Sequence, residues 1–334
     1  MRKRLIRTAG AYLSSAASAV GNHEAIGPMG HRFDIKDTTD RFGADTWEQA
    51  ESAMQKKAFE WLMRKTGRGV SDFDAVYAGD LQNQCVGSSY GLMEFDVPYI
   101  GLYGACSTAA EGLMLSAMAV SAGQFKRCAA VTSSHYLAAE RQYRSPIEYG
   151  AQRSPTAQWT VTGAAAFCIE NEGDVMISEA LAGIVVEKGI NDASNMGAAM
   201  APAAADTILA YFEESGTSVD ELDAIITGDL GFEGGSILCE LLQSKGLDIR
   251  KIYNDCGVMI YDRIRQDKHA GGSGCGCSAV VMASYFLPKL LCGELKNMLF
   301  IGTGAMMSPS SIQQGLAIPA VAHLIRLEGK DGGR

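Results

Sequence analysis

The stretch CSTAAEGLMLSAMAVSAGQFKRCAAVTSS, residues 106–134, decides the fold because the chain carries its plan twice. CSAVVMASYFLPKLLCGELKNMLFIGTG, residues 277–304, runs the same way: Cys-Ser, an apolar helical segment, a Gly turn with a basic residue, then a strand. Upstream of each copy lies a second match, FDAVYAGDL at 73–81 and LDAIITGDL at 222–230. Asp74 and Asp223 stand 149 residues apart, Cys106 and Cys277 171 apart, so the second copy carries an insertion between its two matches. A period this long means two related halves rather than a solenoid array. The boundary falls near Asn171–Gly173, after the strand-like VTGAAAFCI, giving halves of 1–171 and 172–334.

Strands alternate with helices in both halves, which predicts an α/β fold with mostly parallel sheets. The helices after Cys106 and Cys277 lack the polar face of a surface helix. Glu111 is the only charge between Ala109 and Ala122, and Lys289 the only one between Ser278 and Cys292. Two such helices belong at the centre, packed together between two sheets. The amphipathic segments Thr46–Lys65 and Ala204–Glu214 suit an outer layer. The expected architecture is five layers, α/β/α/β/α.

Composition narrows the function. A net charge of −9 with no Lys/Arg stripe argues against nucleic acid. The nine cysteines are odd in number and several lie in apolar runs, and the first residues do not read as a signal peptide, so reduced, mostly buried thiols of a cytosolic chain are expected. Cys275-Gly-Cys277 lacks the second Cys pair or His cluster that a metal site needs. No metal or cofactor is expected. No uncharged apolar run approaches the roughly 18 residues that span a bilayer, which leaves only a peripheral membrane role.

The duplicated halves, the paired apolar helices and GACST at 104–108 resemble the thiolase and ketosynthase superfamily, and VTGAAAFCI resembles the Gly-Ala-rich strand of ketosynthase-III enzymes. A closer resemblance runs along nearly the whole chain. AGDLQNQ, GACST, TSSH, AERQYRSPIEYG, NMGAAMAPAAADT, ITGDL, NDCGVMIY and AGGSGCGCSAVV are similar to the stage V sporulation AD family of spore-forming bacteria. That resemblance implies a thiolase-like fold and a soluble, cytoplasmic component peripheral to the forespore or spore inner membrane. Its implied partners are dipicolinic acid, with or without calcium, and the other membrane proteins of the same transport system. The superfamily further implies a homodimer.

Cys106 takes the superfamily's nucleophile position. Thr108 and Glu111 read as a capping box, and a thiol at a helix start feels the positive end of the dipole, which favours thiolate. The alternative is a small residue in a tight buried turn, with Ser107 beside it. Condensing chemistry also needs a base and donors for the thioester oxygen. Where the superfamily has His or Asn, this chain has Thr227-Gly228-Asp229-Leu230, and Asp229 brings a negative charge instead. His269 reads either as the His of a Gly-His motif or as a solvated loop residue. The last core strand, FIGTGAMMS, has no Cys. Asn254-Asp255-Cys256-Gly257 is either a pocket floor, with Cys275 nearby, or a structural turn.

Ser133, Ser134 and His135 should emerge at a strand's C-terminal end, where open α/β sheets bind ligands. The loop beyond them holds Arg141, Arg144 and Arg153 with Tyr143 and Tyr149, which suits a planar carboxylate or reads as a solvated basic loop. Three functions remain: a dipicolinate-binding protein on a degenerate thiolase scaffold, a Cys106-dependent acyltransferase or condensing enzyme, and an assembly subunit whose pocket is a relic.

Overall fold

The computed structural model describes residues 3–143 and 154–329. Ten strands form its frame: β1 (Tyr12–Val20), β2 (Ala75–Gly79), β3 (Tyr99–Gly101), β4 (Arg127–Ser134), β5 (Gly163–Glu170), β6 (Met176–Leu181), β7 (Ala224–Thr227), β8 (Tyr253–Asp255), β9 (Asn297–Ala305) and β10 (Ala320–Glu328). Their spatial order is β8-β7-β9-β10-β6-β1-β5-β4-β2-β3. Adding five to any label of the run β3-β2-β4-β5-β1 gives its counterpart in the run β8-β7-β9-β10-β6. The two runs meet at β1 and β6 through a single residue pair, Tyr12 with Met176.

The strand directions correct one expectation. In each run four strands point the same way and one runs against both its neighbours, which makes the sheet mixed: β5 runs against β4 and β1, and β10 against β9 and β6. Parallel neighbours need a long crossover, whereas antiparallel ones do not. Only 14 residues (306–319), carrying the short helix Pro309–Gln313, separate β9 from β10, and the chain turns back instead of crossing over.

Six helices complete the layers: α1 (Trp47–Thr66), α2 (Val86–Leu92), α3 (Thr108–Ser121), α4 (Met196–Ser215), α5 (Gly231–Gln243) and α6 (Cys275–Val281). The helix α6 continues through a π turn, Met282–Phe286, into Leu287–Leu291. Helix α1 begins at a capping box formed by Thr46 and Gln49 and ends at the left-handed Gly67. It buries Met54, Phe59 and Leu62 against one face of the first sheet run. Helix α4 does the same for the second, burying Met200, Ile208 and Tyr211. Helices α3 and α6 lie between the two runs, in one core with Leu113, Phe167, Val280 and Phe300. The five expected layers are therefore present, and the helices with no polar face are the ones at the centre. No helix among the described residues is long and apolar enough to cross a membrane.

Candidate functional site

Cys106 lies in a short 3-10 turn, Ala105–Ser107, that feeds α3. The turn is strained: Ala105 has φ 50°, a left-handed conformation that L residues with a Cβ disfavour by about 1–2 kcal/mol. β9 passes directly beneath it. A Cβ on Gly304 would stand 2.2 Å from the Gly104 carbonyl oxygen, so only glycine lets the strand approach this closely.

The expected capping box does not form. Thr108 is the first helical residue, its hydroxyl donating to Ala105 O at 2.7 Å and accepting from Gly104 N–H at 3.1 Å. Ser107 donates to Gly104 O at 2.6 Å, so its hydroxyl serves the turn. Glu111 has one buried oxygen with no hydrogen-bond partner among the described residues, and burial raises its pKa. Nor is Cys106 a thiolate. It is 5% exposed, and burial first, then Asp229, push its thiol well above the ordinary range. Dipole stabilisation at a helix start is a few tenths of a kcal/mol to about 1 kcal/mol, too little to offset a buried charge facing a carboxylate.

Asp229 follows the end of β7 and is fully buried. Its Oδ1 accepts from Thr303 Oγ1 at 2.8 Å; its Oδ2 accepts from Ser273 Oγ at 3.0 Å and from Gly274 N–H at 2.8 Å. Ser273 Oγ in turn lies 3.8 Å from Cys106 Sγ. Cys275, at the start of α6, donates to Ser133 O at 2.9 Å. With Leu81 and Ala139, Cys106 and Cys275 form a small apolar cluster. The structure thus brings Cys106, Asp229 and Cys275 together.

The other predicted residues have separate duties. Ser134 Oγ donates to Val161 O at 2.7 Å and accepts from Gly276 N–H at 3.2 Å, tying β4 to the start of α6. His135 is buried; its Nε2 bonds Asp40 O at 2.8 Å and its Nδ1 faces Ala138 N–H at 3.4 Å, which specifies a neutral ring carrying its proton on Nε2. Burial lowers its pKa. Arg141 pairs with Glu48 of α1 at 3.1 Å. Asn254 is exposed and lines an outer groove with Gly235, Cys239 and Tyr253, apart from the Cys106 cluster, so the pocket-floor reading gives way to the structural turn. Its neighbour Asp255 holds that turn, accepting from Leu230, Gly231 and Val258 N–H. His269 sits in a loop, 3.5 Å from Asp267, as a solvated residue. Arg144, Tyr149 and Arg153 lie outside the described residues.

Ser273 and Thr303 carry no sign of their roles in the sequence. Each touches Asp229 only through the tertiary fold, and a Ser or Thr in a Gly-rich segment carries no local mark of such a duty. Asp80, the counterpart of Asp229 in the first GDL, is also buried, and it accepts from Gln82 N–H and from Ser88 N–H and Oγ.

Three comparisons bear on this arrangement. The chain is similar in structure to 3-oxoacyl-(acyl carrier protein) synthase III of Xanthomonas oryzae, with TM-score 0.57 and 15% identity over 97% of this chain and 100% of that one. Xanthomonas campestris OleA E117A gives TM-score 0.58 and 13% identity, over 96% and 99%. These likenesses establish a thiolase-like fold. In sequence, the chain is 40% identical to the Stage V sporulation protein AD of Bacillus subtilis (strain 168) over 322 residues, covering 96% of this chain and 95% of the relative. Residues 3–328 match the family Stage V sporulation protein AD (SpoVAD). A duplicated thiolase-like frame, matched along nearly its whole length to one sporulation family, makes this chain a member of the Stage V sporulation protein AD family.

Proposed function

We propose that the chain is a non-catalytic sporulation protein that binds dipicolinic acid beside Cys106. In this reading it serves as a peripheral component of the spore membrane system that moves dipicolinate. The observation that carries it is the Cys106–Ser273–Asp229 arrangement: a buried neutral thiol faces a fixed carboxylate where acyl transfer needs a nucleophile and a neutral donor. What remains at the site suits binding. Leu81, Ala139, Cys106 and Cys275 offer an apolar wall to a flat ring. Trp159 lies stacked on Tyr136 at 4.0 Å and carries Lys268 Nζ 3.0 Å from its ring centroid. Trp159 is one residue from Thr160, which pairs with Ser273 in a short two-stranded ladder, so a cation and two planar rings stand on the other face of the ladder that carries Ser273. A dicarboxylate with an aromatic ring matches that chemistry.

Membership of the sporulation family is what supports the peripheral membrane placement in this reading. A homodimer is part of the proposal. β3 is an edge strand exposed along its length, flanked by Tyr90 and Met93 at 65% and 69% exposure. An unpaired edge with apolar neighbours suits antiparallel pairing with a second copy.

Calorimetric titration of the purified protein with dipicolinic acid, with and without calcium, tests the ligand. Saturable binding in at least one condition is expected; no binding by the wild type in either removes the reading.

A further inference from the structure

Loss of transfer chemistry on this scaffold has two explanations. Missing partners would leave a thiol that is still reactive by itself. Alternatively, something present would hold the thiol inactive. Hydrogen-bond directions around Cys106 distinguish the two.

Asp229 accepts from Thr303 Oγ1, Ser273 Oγ and Gly274 N–H. Gly274 N–H can only donate, and both hydroxyls are placed as donors to the carboxylate, Thr303 Oγ1 at the same time accepting from Asp229 N–H, so the arrangement fits the ionised form. Burial raises the pKa of Asp229, and the hydrogen bonds from these donors and from Cys106 oppose that rise. Ser273 spends its single hydroxyl proton on Asp229 at 3.0 Å. What its oxygen can then offer Cys106 Sγ, 3.8 Å away, is a lone pair. With that hydroxyl proton committed to Asp229, the sulfur is left to donate. The carboxylate's charge and its own hydrogen bond with the thiol favour the protonated form directly, and the contacts with Ser273 and the Gly274 N–H oppose it.

Groups that reach the sulfur from the surrounding elements reinforce this. Asp229 comes from the end of β7, Ser273 from the short ladder, Cys275 from the start of α6, and Leu81 and Ala139 from the segments after β2 and β4. Behind Cys275 stand the buried carboxyls of Glu51 and Asp80. Apart from the Gly274 N–H, these groups are acidic, thiol, hydroxyl or apolar.

We propose that Asp229, facing the thiol directly and holding the Ser273 hydroxyl, keeps Cys106 as a neutral thiol, and that this one residue disarms the nucleophile position of the scaffold. Asp229 is a positioning residue here, acting on the proton of another group. The inference rests on the reading of Cys106 as a wall residue and not on the ligand's identity, so a protein that fails to bind dipicolinate leaves it standing.

The test is site-resolved alkylation by iodoacetamide, followed by peptide mass spectrometry across neutral to alkaline pH. Cys292, which is exposed, is the reference thiol in the same molecule. Burial lowers the alkylation rate at every pH, whereas a facing carboxylate moves the midpoint of the profile. In the wild type, Cys106 should alkylate far more slowly than Cys292 at neutral pH, with a midpoint well to the alkaline side. Asp229→Asn should lower that midpoint by at least about one unit, a tenfold gain in thiolate at a given pH, and leave the Cys292 profile unchanged. Asp229→Ser, a smaller neutral replacement, should act in the same direction. A folded variant whose Cys106 midpoint stays at the wild-type value overturns the proposal. So does a wild-type Cys106 that alkylates as fast as Cys292 at neutral pH, an outcome that needs no variant to fold.

Discussion

Cys106 and Asp229 are both conspicuous in the sequence, Cys106 for its place at the head of an apolar helix and Asp229 for its sign. Their protonation is not legible there. It depends on Ser273 and Thr303, which lie more than forty residues from Asp229 in sequence and reach it only when β7, β9 and the short ladder assemble. His135 shows the same limit. It sits at the strand end the sequence indicates, yet its ring is spent on Asp40 and Ala138. Removing it should therefore cost stability more than binding. His135→Ala is expected to lower unfolding free energy by about 1–3 kcal/mol, the cost of orphaning buried polar groups, as read by chemical denaturation. A stable variant that loses ligand affinity would instead make His135 a contact residue.

At the scale of elements, α3 and α6 are the most legible features, since a helix with one charge in fourteen residues has nowhere to go but the centre. Less legible is the close passage of β9 under the Cys106 turn, because a Gly in a strand looks the same whether or not a backbone approaches it. Gly304→Ala must push β9 and the turn apart, and overpacking of this kind costs about 1–3 kcal/mol. A fall in the thermal midpoint is expected; an unchanged midpoint would mean the turn relaxes freely. The β3 edge gives a further prediction. Ile100→Asp, on the exposed edge strand, should convert the proposed dimer to a monomer in sedimentation analysis without unfolding it. A wild type that is already monomeric at micromolar concentration contradicts the dimer.

For the whole molecule, the repeat dictates that the two strand runs share one order, but not that β5 and β10 each run against both their neighbours. The folded chain also buries acids from both runs. Burial raises Glu24 to about 7, Glu51 to about 8 with Asp80 adding to the rise, and Asp255 to about 7. Each holds its proton to higher pH folded than unfolded, so the stability it contributes is lost as pH rises through these values. His323 is lowered to about 4 by burial, so its contribution is complete above the ordinary value of 6.5 and is lost only as pH falls toward 4. Between about pH 6.5 and 8 the acids alone act, and the thermal midpoint should fall. Glu51→Gln should flatten the upper part of that decline; an equally steep decline in the variant would assign it elsewhere.

The proposed reading gives this thiolase-like frame a binding wall in place of a working nucleophile, and the intact mass of the wild-type protein after incubation with acyl-coenzyme A at neutral pH puts that to the proof. An unmodified chain is expected. An acyl adduct mapped to Cys106, formed in the wild type and released on transfer to an acceptor, would mean that the nucleophile still works.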